Sequence, residues 1–378
     1  MLYRLSEGSD IVRAMKAMDC DPGGVKIMAK KATHHFFFIR QMRTPAANIL
    51  KQDALAIGAE LAVPGGVIVC ATERVDAVLI CNETQLAILA KKELGQPFGL
   101  KAIAQELGRY LGLKRHPVEL MGVLNINEDS FFSASRVDAS SFRERAERMI
   151  ADGADIIDIG GVSSRPGSEP VSEEAELARV KGAIDTIYDA RLYETARFSI
   201  DSYAPKVIDY ALSKGFRIVN DITGLADDAV CKVAAAYDAE VCIMHMKGSP
   251  KDMQQNPEYE DVMLEVDAFF SERIQKAGSF GLKKLILDTG IGFGKTLEHN
   301  LALIKHQSNF LKYGYPLLVG ASRKSMINAI SPAPVEARLP GTLAIHLKAL
   351  DEGASIIRAH DVPEHAQAMK VHQAITKA

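Results

Sequence analysis

The strongest constraint on the fold is a unit that recurs eight times between residue 115 and the C-terminus. Each unit has a short apolar run, a polar or glycine-rich turn and a segment with helical periodicity. Strands that alternate with helices favour βαβ units and a parallel sheet. Eight units in this length match the ~250 residues of a closed (β/α)8 barrel. A doubly wound open sheet is the alternative, but no G-x-G-x-x-G follows the first strand. The predicted strands are 119–124, 156–159, 197–200, 218–219, 240–244, 284–287, 316–319 and 356–358.

Residues 1–114 lack this repeat and predict a smaller domain, with a linker at Leu113–Pro117. We therefore expect an α/β fold with an N-terminal α+β domain (1–114) and a (β/α)8 TIM barrel (115–378). No catalytic motif stands out in the first domain, for which we expect a structural or oligomer-contact role. Its predicted strands are Val25–Met28, Phe36–Arg40, Val67–Cys70 and Ala77–Cys81; its predicted helices are Pro45–Leu61, Thr84–Leu94, capped by Thr84, and Gly99–Leu111.

The composition argues against several kinds of partner. The chain has 45 basic and 48 acidic side chains and no long basic run, so we expect no nucleic-acid partner. The longest apolar stretch, 54–71, is interrupted by Glu60 and Pro64, so we expect no membrane partner. The N-terminus has no signal-peptide pattern, and the five cysteines contain no C-x-x-C pair. These features predict reduced thiols and a cytoplasmic location.

Polar residues follow all eight predicted strands. In a (β/α)8 barrel, the carboxyl ends of the strands meet at one mouth, where active sites lie. We therefore expect these side chains to face a common ligand. In chain order they are Asn125; Asp158 with Ser164, Arg165 and Pro166; Asp201; Asn220; Met244 with His245; Asp288 with the run TGIGFGK, which contains Phe293; Lys324 with Ser325; and Arg358 with His360.

Two groups of these residues suit two parts of a ligand. Asp201, Asp288, Asn220 and Lys324 suit a flat heterocycle, because a carboxylate can accept two N–H donors from a 2-amino-4-oxo pyrimidine edge. The cationic residues suit phosphate groups, which commonly bind at this face of a barrel. This second group is Arg165, Arg358 and His360.

Three residues near these positions also have ordinary structural explanations. Asp288 could cap a helix, His245 could fill the core between two methionines, and Arg323 could form a salt bridge. The run GIGFGK resembles a phosphate-binding loop but lacks the Walker spacing, so by itself it is weak evidence.

From Glu119 to the C-terminus, the sequence resembles dihydropteroate synthases. The resemblance rests on motifs in matching order: MGVLN, SSRPGS, SIDSY, IVNDITGL, MHMKGSP, ILDTGIGFGKT, GASRKS and RAHDV. The resemblance implies a (β/α)8 barrel that joins 6-hydroxymethyl-7,8-dihydropterin diphosphate to 4-aminobenzoate. The products would be 7,8-dihydropteroate and diphosphate, and the cofactor would be Mg2+.

The resemblance also implies roles for individual residues. Asp201, Lys324 and Arg165 would be catalytic, and Asp158 is a further candidate for substrate binding. Asn125 would lie near Mg2+ and the diphosphate, and we expect a homodimer. The pterin would contact Asp201, Asn220, Asp288 and Lys324, with Met244 and Phe293 lining its pocket; the diphosphate would contact Arg165, Arg358 and His360; and 4-aminobenzoate would border Ser164, Pro166, Lys324 and Ser325.

Two other functions remain open on the sequence. A pterin-binding methyltransferase would share the Asp/Asn/Asp pocket but would have no use for SSRPG, SRKS or RAHD. A pterin-binding protein without catalytic activity is suggested by residues 126–135, which depart from the family's usual first loop, and by the additional N-terminal domain.

Overall fold

The computed structural model describes residues 2, 3, 5, 10–126, 136–163 and 171–377, with backbone only for 136–140. The chain divides into two compact units, Met1–Leu113 with Thr376–Ala378, and Lys114–Ile375. The sequence prediction put the boundary between residues 114 and 115. The altered first loop at 127–135 lies outside the described residues. Within the described ranges, no helix combines the length and the apolar character needed to cross a bilayer.

The first unit is an α+β arrangement around a three-stranded antiparallel sheet of order β1-β3-β2. One face of the sheet packs with the helices around a core that includes Leu50, Leu79 and Leu86, all fully buried. The strands are β1 (His34–Arg43), β2 (Glu60–Ala62) and β3 (Arg74–Asn82), and the helices are Ile11–Ala17, Pro22–Ala32, Thr44–Ala56, Glu83–Lys92 and Leu100–Gly108.

The prediction of a strand at Val25–Met28 is wrong, because this segment belongs to the helix Pro22–Ala32. The Asp21 carboxylate accepts a hydrogen bond from the Gly24 amide, and Pro22 occupies the first helical position. Both features are helix-start signals. A four-residue apolar run is compatible with either structure, so here the cap decides the outcome.

The prediction of a strand at Val67–Cys70 is also wrong. Val67–Val69 form a single 3-10 turn between Gly66 (φ 81°) and Cys70 (φ 50°). Two left-handed residues that flank three apolar ones cannot continue an extended strand. The predicted cap Thr84 is displaced as well, since Asn82 and Gln85 form a reciprocal capping box at the start of the helix Glu83–Lys92.

The second unit, in the described part of the chain, is a closed barrel of eight parallel strands in the order β10-β11-β4-β5-β6-β7-β8-β9. This confirms the predicted (β/α)8 fold. Most strand residues are buried, as expected where helices cover the outside and side chains fill the inside. The strands are β4 (Glu119–Asn125), β5 (Ile156–Gly160), β6 (Arg197–Asp201), β7 (Ile218–Asp221), β8 (Glu240–Met244), β9 (Leu285–Asp288), β10 (Leu317–Val319) and β11 (Ile356–Ala359).

Several helices of the barrel begin at side-chain caps. Ser172 accepts from the Ala175 amide, and Asp227 and Asp261 cap two later helices in the same way. The short helix Ser325–Ile330 was not predicted. The others are Arg136–Ala151, Glu173–Asp189, Pro205–Ser213, Asp228–Ala236, Val262–Ser279, Leu297–Lys305, Leu339–Asp351 and Val362–Lys377.

Apolar side chains from seven strands form a buried cluster in the barrel. At the amino-terminal end of the strands, Arg197 bridges Glu119 and Glu240 at 2.6 and 2.7 Å. These ion pairs link β6 to β4 and β8 at the amino-terminal end, whereas the predicted ligand residues lie at the opposite, carboxyl end. The cluster consists of Met121, Ile156, Ile218, Cys242, Ile286, Leu318 and Ile356.

We expect Ile286→Ala to lower the free energy of unfolding of the barrel by about 3 kcal/mol, because it leaves a cavity in this cluster. Urea unfolding followed by circular dichroism measures the change. Leu301→Ala is the matched control, since Leu301 is 43% exposed and should change stability by less than about 0.5 kcal/mol. Equal effects of the two substitutions would show that the barrel interior is not a packed core.

Candidate active site

The structure brings most of the predicted site residues to the carboxyl ends of the barrel strands. Met244 is buried at the end of β8, whereas Asn125 and His360 are exposed. Ser164, Arg165 and Pro166 lie outside the described residues, so their predicted roles stay predictions. Asp158 lies in β5, Asp201 in β6, Asn220 in β7, Asp288 in β9 and Arg358 in β11; Phe293 follows β9; Lys324 and Ser325 begin the helix after β10; and Asn125 ends β4.

A buried polar network links four of these strand ends. The Arg358 guanidinium donates from Nε to Asp158 Oδ2 at 2.7 Å and from Nη2 to Asp201 Oδ2 at 2.7 Å. Asn220 Nδ2 donates to the same Asp158 oxygen at 3.1 Å. Within the described part of the chain, the other oxygen of Asp158, Oδ1, is buried without a hydrogen-bond partner. A buried carboxylate oxygen without a partner is costly, and an N–H donor of a ligand would satisfy it.

Burial sets the electrostatics of this network. Burial raises the pKa of Asp201 to about 7, while the positive charge of Arg358 opposes the shift. Burial alone would lower the pKa of Arg358, but Asp158 and Asp201 together raise it above its usual value. The guanidinium is therefore always charged, and Asp201 changes its charge near neutral pH.

On the other side of the mouth, Asp288 and Lys324 approach the loop that follows β9. The Gly290 amide donates to Asp288 Oδ1 at 2.7 Å, and Lys324 Nζ donates to the Ile291 carbonyl. The same ammonium group lies 4.5 Å from the centre of the Phe293 ring. Burial lowers the pKa of Lys324 to about 8, and the charge of Asp288 opposes this shift. Burial raises the pKa of Asp288, and Lys324 opposes it.

The two sides belong to strands of one closed barrel, and charges of one side affect the pKa of groups on the other. The charges of Asp288, Arg358 and Asp201 all affect the pKa of Lys324, and Arg358 affects that of Asp288. The sequence prediction grouped Arg358 with phosphate ligands. The structure places it between the carboxylates of β5 and β6, where it also contacts the heterocycle group.

The loop after β9 approaches the end of β8 too closely for side chains. A Cβ atom on Gly290 (φ 67°) would lie 2.0 Å from the His245 carbonyl oxygen, and one on Gly294 (φ 61°) would lie 2.3 Å from the Lys247 carbonyl oxygen. These glycines are therefore required by both conformation and space. Phe293 lies between these two close approaches in the sequence, so the backbone on both sides of it is fixed.

Sequence reasoning did not identify Lys295, which connects the loop after β9 to the end of β8. Its buried Nζ donates to the carbonyls of His245, Gly290 and Phe293 at 3.1, 3.1 and 2.9 Å, and it lies 2.9 Å from His245 Nδ1. Burial lowers the pKa of Lys295 to about 7 and that of His245 to about 3. The Lys295 side chain ties the loop to β8, and His245 is a buried partner of that contact. The lysine of the GFGK run was the available signal.

Two of the structural alternatives can now be decided. Arg323 forms a forked salt bridge to Asp361, with Nε and Nη2 at 3.0 and 2.5 Å from its two oxygens. Asp288 does not cap the next helix, because Thr296 caps Leu297–Lys305.

A cavity of about 360 Å³ opens beside Asp201, between the loops that follow β5 to β8. Sequence reasoning did not identify Glu176, which lines this cavity and is only 3% exposed. Burial raises its pKa, and Ser202 opposes the shift through a hydrogen bond. In the described residues, Glu176 Oε1 is buried without a hydrogen-bond partner. The mouth therefore has polar groups ready for a ligand.

The described residues contain no cluster of three His, Cys, Asp or Glu side chains that could hold a metal ion. Mg2+ commonly retains several waters and binds through one or two protein oxygens together with substrate phosphates. Asn125 is an exposed residue at the end of β4, and its amide offers a hard oxygen donor. A single donor of this kind fits a Mg2+ ion that is bound mainly by a phosphorylated substrate.

The arrangement suits a ligand with a flat polar ring and a charged tail. Carboxylate and amide groups line the closed depth of the barrel, and Phe293 offers an aromatic face. Arg358 and the exposed His360 lie at β11 and just beyond it. No feature of this set needs a Ser-His or Cys-His nucleophile.

Comparison with known proteins agrees with this geometry. Residues 121–360 match the family model described as pterin binding enzyme. A bifunctional dihydropteroate synthase/dihydropteroate reductase of Helicobacter pylori is 41% identical over 349 residues, which are 92% of each chain. The dihydropteroate synthase of Escherichia coli is 42% identical over 269 residues, which are 70% of this chain and 93% of that one.

A solved structure leads to the same family. The Yersinia pestis dihydropteroate synthase, determined with a sulfonamide drug complex, superposes with a TM-score of 0.64 at 38% identity. The match covers 71% of this chain and 97% of the Yersinia chain. The buried network at the strand ends, the family match and these relatives lead to one conclusion: the chain belongs to the pterin-binding enzymes, as a member of the dihydropteroate synthases.

Proposed function

We propose that the barrel joins 6-hydroxymethyl-7,8-dihydropterin diphosphate to 4-aminobenzoate, with release of diphosphate. The observation that supports this most strongly is the buried network of Asp158, Asn220, Asp201 and Arg358, with Asp288 and Lys324 facing it. These groups match the donors and acceptors of a 2-amino-4-oxo pyrimidine edge. The motifs at the strand ends and the similarity to dihydropteroate synthases support the same reaction.

The pterin ring would bind in the depth of the mouth. Asp288 and the unpartnered oxygen of Asp158 accept N–H donors of the ring, and Asn220 can donate and accept. Phe293 and Met244 cover its faces. Because these groups are held by strand ends and by the Lys295 contact, they need little reorganisation when the ring enters.

The diphosphate would bind at the exposed side of the mouth, near Arg358 and His360. Arg165 is proposed as a third cation in this part. Bound Mg2+, held by Asn125 and the substrate's own oxygens, would neutralise part of the charge that develops on the leaving group. Arg358 also holds Asp201, so one guanidinium connects the charged tail to the ring pocket.

The bond changes balance without a protein nucleophile. The C–O bond between the pterin methylene and diphosphate breaks, and its electron pair leaves with the diphosphate. The nitrogen lone pair of 4-aminobenzoate forms the new C–N bond, and the nitrogen then loses a proton to water. Asp201 stabilises positive charge that develops on the pterin during this exchange. Lys324, Ser325, Ser164 and Pro166 are proposed to border the aminobenzoate.

The proposed mechanism predicts a bell-shaped pH dependence of kcat/KM for the pterin substrate. The charge-stabilising form of Asp201 is lost as pH falls below about 7, and the charged form of Lys324 is lost above about 8. We expect Asp201→Asn to lower kcat/KM on the order of 100-fold and to remove the acidic arm. We expect Lys324→Arg to retain activity well above pH 8, because arginine stays protonated. Diphosphate release followed from pH 5.5 to 9.5 measures both changes.

Lys305→Arg is the matched control for the lysine, since Lys305 is exposed at the end of the helix Leu297–Lys305. Its profile should superpose on that of the unaltered protein. An unchanged profile in Asp201→Asn would contradict the proposed role of this carboxylate. Methyl transfer to a corrinoid acceptor, without dependence on diphosphate, would support the methyltransferase alternative instead.

The remaining expectations about partners stay predictions. Three expectations rest on the sequence alone: a homodimer, a cytoplasmic location, and no nucleic-acid or membrane partner. The small-molecule substrates follow from the family, but assembly does not. Sedimentation of the full chain would give its oligomeric state.

A second activity is proposed for residues 1–114. The match to the Helicobacter pylori protein, which is named both a synthase and a reductase, covers 92% of each chain and therefore extends through most of these residues. The Escherichia coli synthase matches only 70% of this chain. The additional sequence similarity thus accompanies the additional activity in that relative. We propose that the chain also reduces dihydropteroate.

Reduction of dihydropteroate to tetrahydropteroate needs two electrons from a donor and two protons, which a reduced cofactor and water together supply. We expect the full chain to oxidise a reduced nicotinamide or a reduced flavin in amounts equal to the dihydropteroate consumed. Absorbance measures the donor that is oxidised, and chromatography measures the tetrahydropteroate that is formed. Asp201→Asn, which disables the barrel, is the control and should leave this reduction unchanged. Consumption of donor without formation of tetrahydropteroate would contradict the second activity.

A further inference from the structure

Two buried histidines lie behind the mouth and have no part in the proposed chemistry. His346 belongs to the helix Leu339–Asp351 and His365 to the helix Val362–Lys377, and each is 1% exposed. Their ring centres are 5.0 Å apart. His360 lies in the loop directly before the second helix, and Lys324 lies before the short helix Ser325–Ile330, which precedes the first. Their buried contact could therefore affect both loops.

The hydrogen bonds through these rings have one direction. The Ala321 amide can only donate, so His346 Nε2 accepts from it at 3.0 Å. The proton of neutral His346 is then on Nδ1, which lies 2.9 Å from His365 Nε2 and donates to it. The proton of His365 is in turn on Nδ1, which donates to the Asp361 carbonyl at 2.6 Å. We call this chain of four groups, from the Ala321 amide to the Asp361 carbonyl, the histidine relay.

The relay works only if both rings are neutral. A second proton on either ring would place two N–H donors face to face. Burial lowers the pKa of both histidines, that of His346 well below its usual value. The nearby His365, Lys324 and His360 lower the pKa of His346 further, whereas Asp361 and Glu364 oppose the effect of burial on His365. The rings are therefore neutral at physiological pH.

Each end of the relay is attached to a ligand-bearing loop. Ala321 lies three residues before Lys324, and Asp361 directly follows His360. The same two loops are linked again by His360 Nδ1, which lies 2.9 Å from Ser322 Oγ, and by the salt bridge of Arg323 to Asp361. Among the described contacts between these two loops, only the relay passes through the interior between the two helices.

We infer that His346 and His365 are positioning residues that hold the loop of Lys324 and the loop of His360 at a fixed separation. This separation sets the distance between the ring pocket and the diphosphate site. The inference deepens the proposed function and rests on it. Neither ring touches the proposed substrate groups directly, because both are buried behind the two loops. The two residues therefore act through Lys324 and His360.

The experiment compares pterin diphosphate binding and turnover in relay variants. His346→Phe fills similar space but leaves the Ala321 amide without an acceptor, and we expect it to raise the Kd for pterin diphosphate about tenfold. His346→Gln keeps one acceptor and one donor and should restore Kd to within about twofold. The Kd of the double variant His346→Phe/His365→Phe should lie within about twofold of the Kd of His346→Phe, because the first change already breaks the relay.

Calorimetry without aminobenzoate, in buffer with Mg2+, measures Kd per folded molecule, so lost stability alone does not change it. His306→Gln is the control, since His306 is an exposed histidine outside both helices, and it should bind like the unaltered protein. An unchanged Kd in His346→Phe, or a double variant that binds much more weakly than His346→Phe, would overturn the inference. If the unaltered chain binds pterin diphosphate but forms no product, the proposed function fails while the relay is still tested by Kd.

Discussion

The interaction on which the site depends is the charge compensation of two strand-end carboxylates by one arginine. Closure of the barrel brings Asp158 and Asp201 into a buried space, where two negative charges without compensation would be strongly unfavourable. Arg358 from β11 donates to both of them across the mouth. The network therefore requires that distant segments of the chain meet in one barrel. The same cation lies where a charged substrate tail would be neutralised, so the folding constraint and the chemistry share a side chain.

The rest of the mouth is built by close packing of the loop after β9. Gly290 and Gly294 allow this loop to contact the end of β8, and Lys295 fixes it through three carbonyl oxygens. These contacts fix the loop between Asp288, at the end of β9, and Phe293. The histidine relay has a comparable position behind the loops of β10 and β11. In each case a buried polar group fixes a loop whose neighbouring residues are proposed to contact substrate.

Much of the barrel could be predicted from the sequence, because buried parallel strands and capped helices leave strong local patterns. Since the carboxyl ends of barrel strands share one mouth, the same patterns also predict that Asp158, Asp201, Asn220 and Asp288 lie together. The first unit was harder, since short apolar runs such as Val25–Met28 and Val67–Cys70 fit several structures, and the cap or the left-handed residues decided between them. The GFGK run marked Lys295, but its contact with His245 and the contacts of His346 with Ala321 and His365 join residues 19 to 50 positions apart, which no local pattern reveals.

Isotope labelling tests the claim that a single mouth binds a pterin and exchanges its diphosphate for an arylamine. The full chain is incubated with pterin diphosphate and 4-aminobenzoate labelled with 15N at the amino group, and the products are analysed by mass spectrometry and diphosphate quantitation. We expect dihydropteroate that retains the label, formed in equal amounts with free diphosphate. Diphosphate released while the labelled arylamine stays unchanged would contradict that claim.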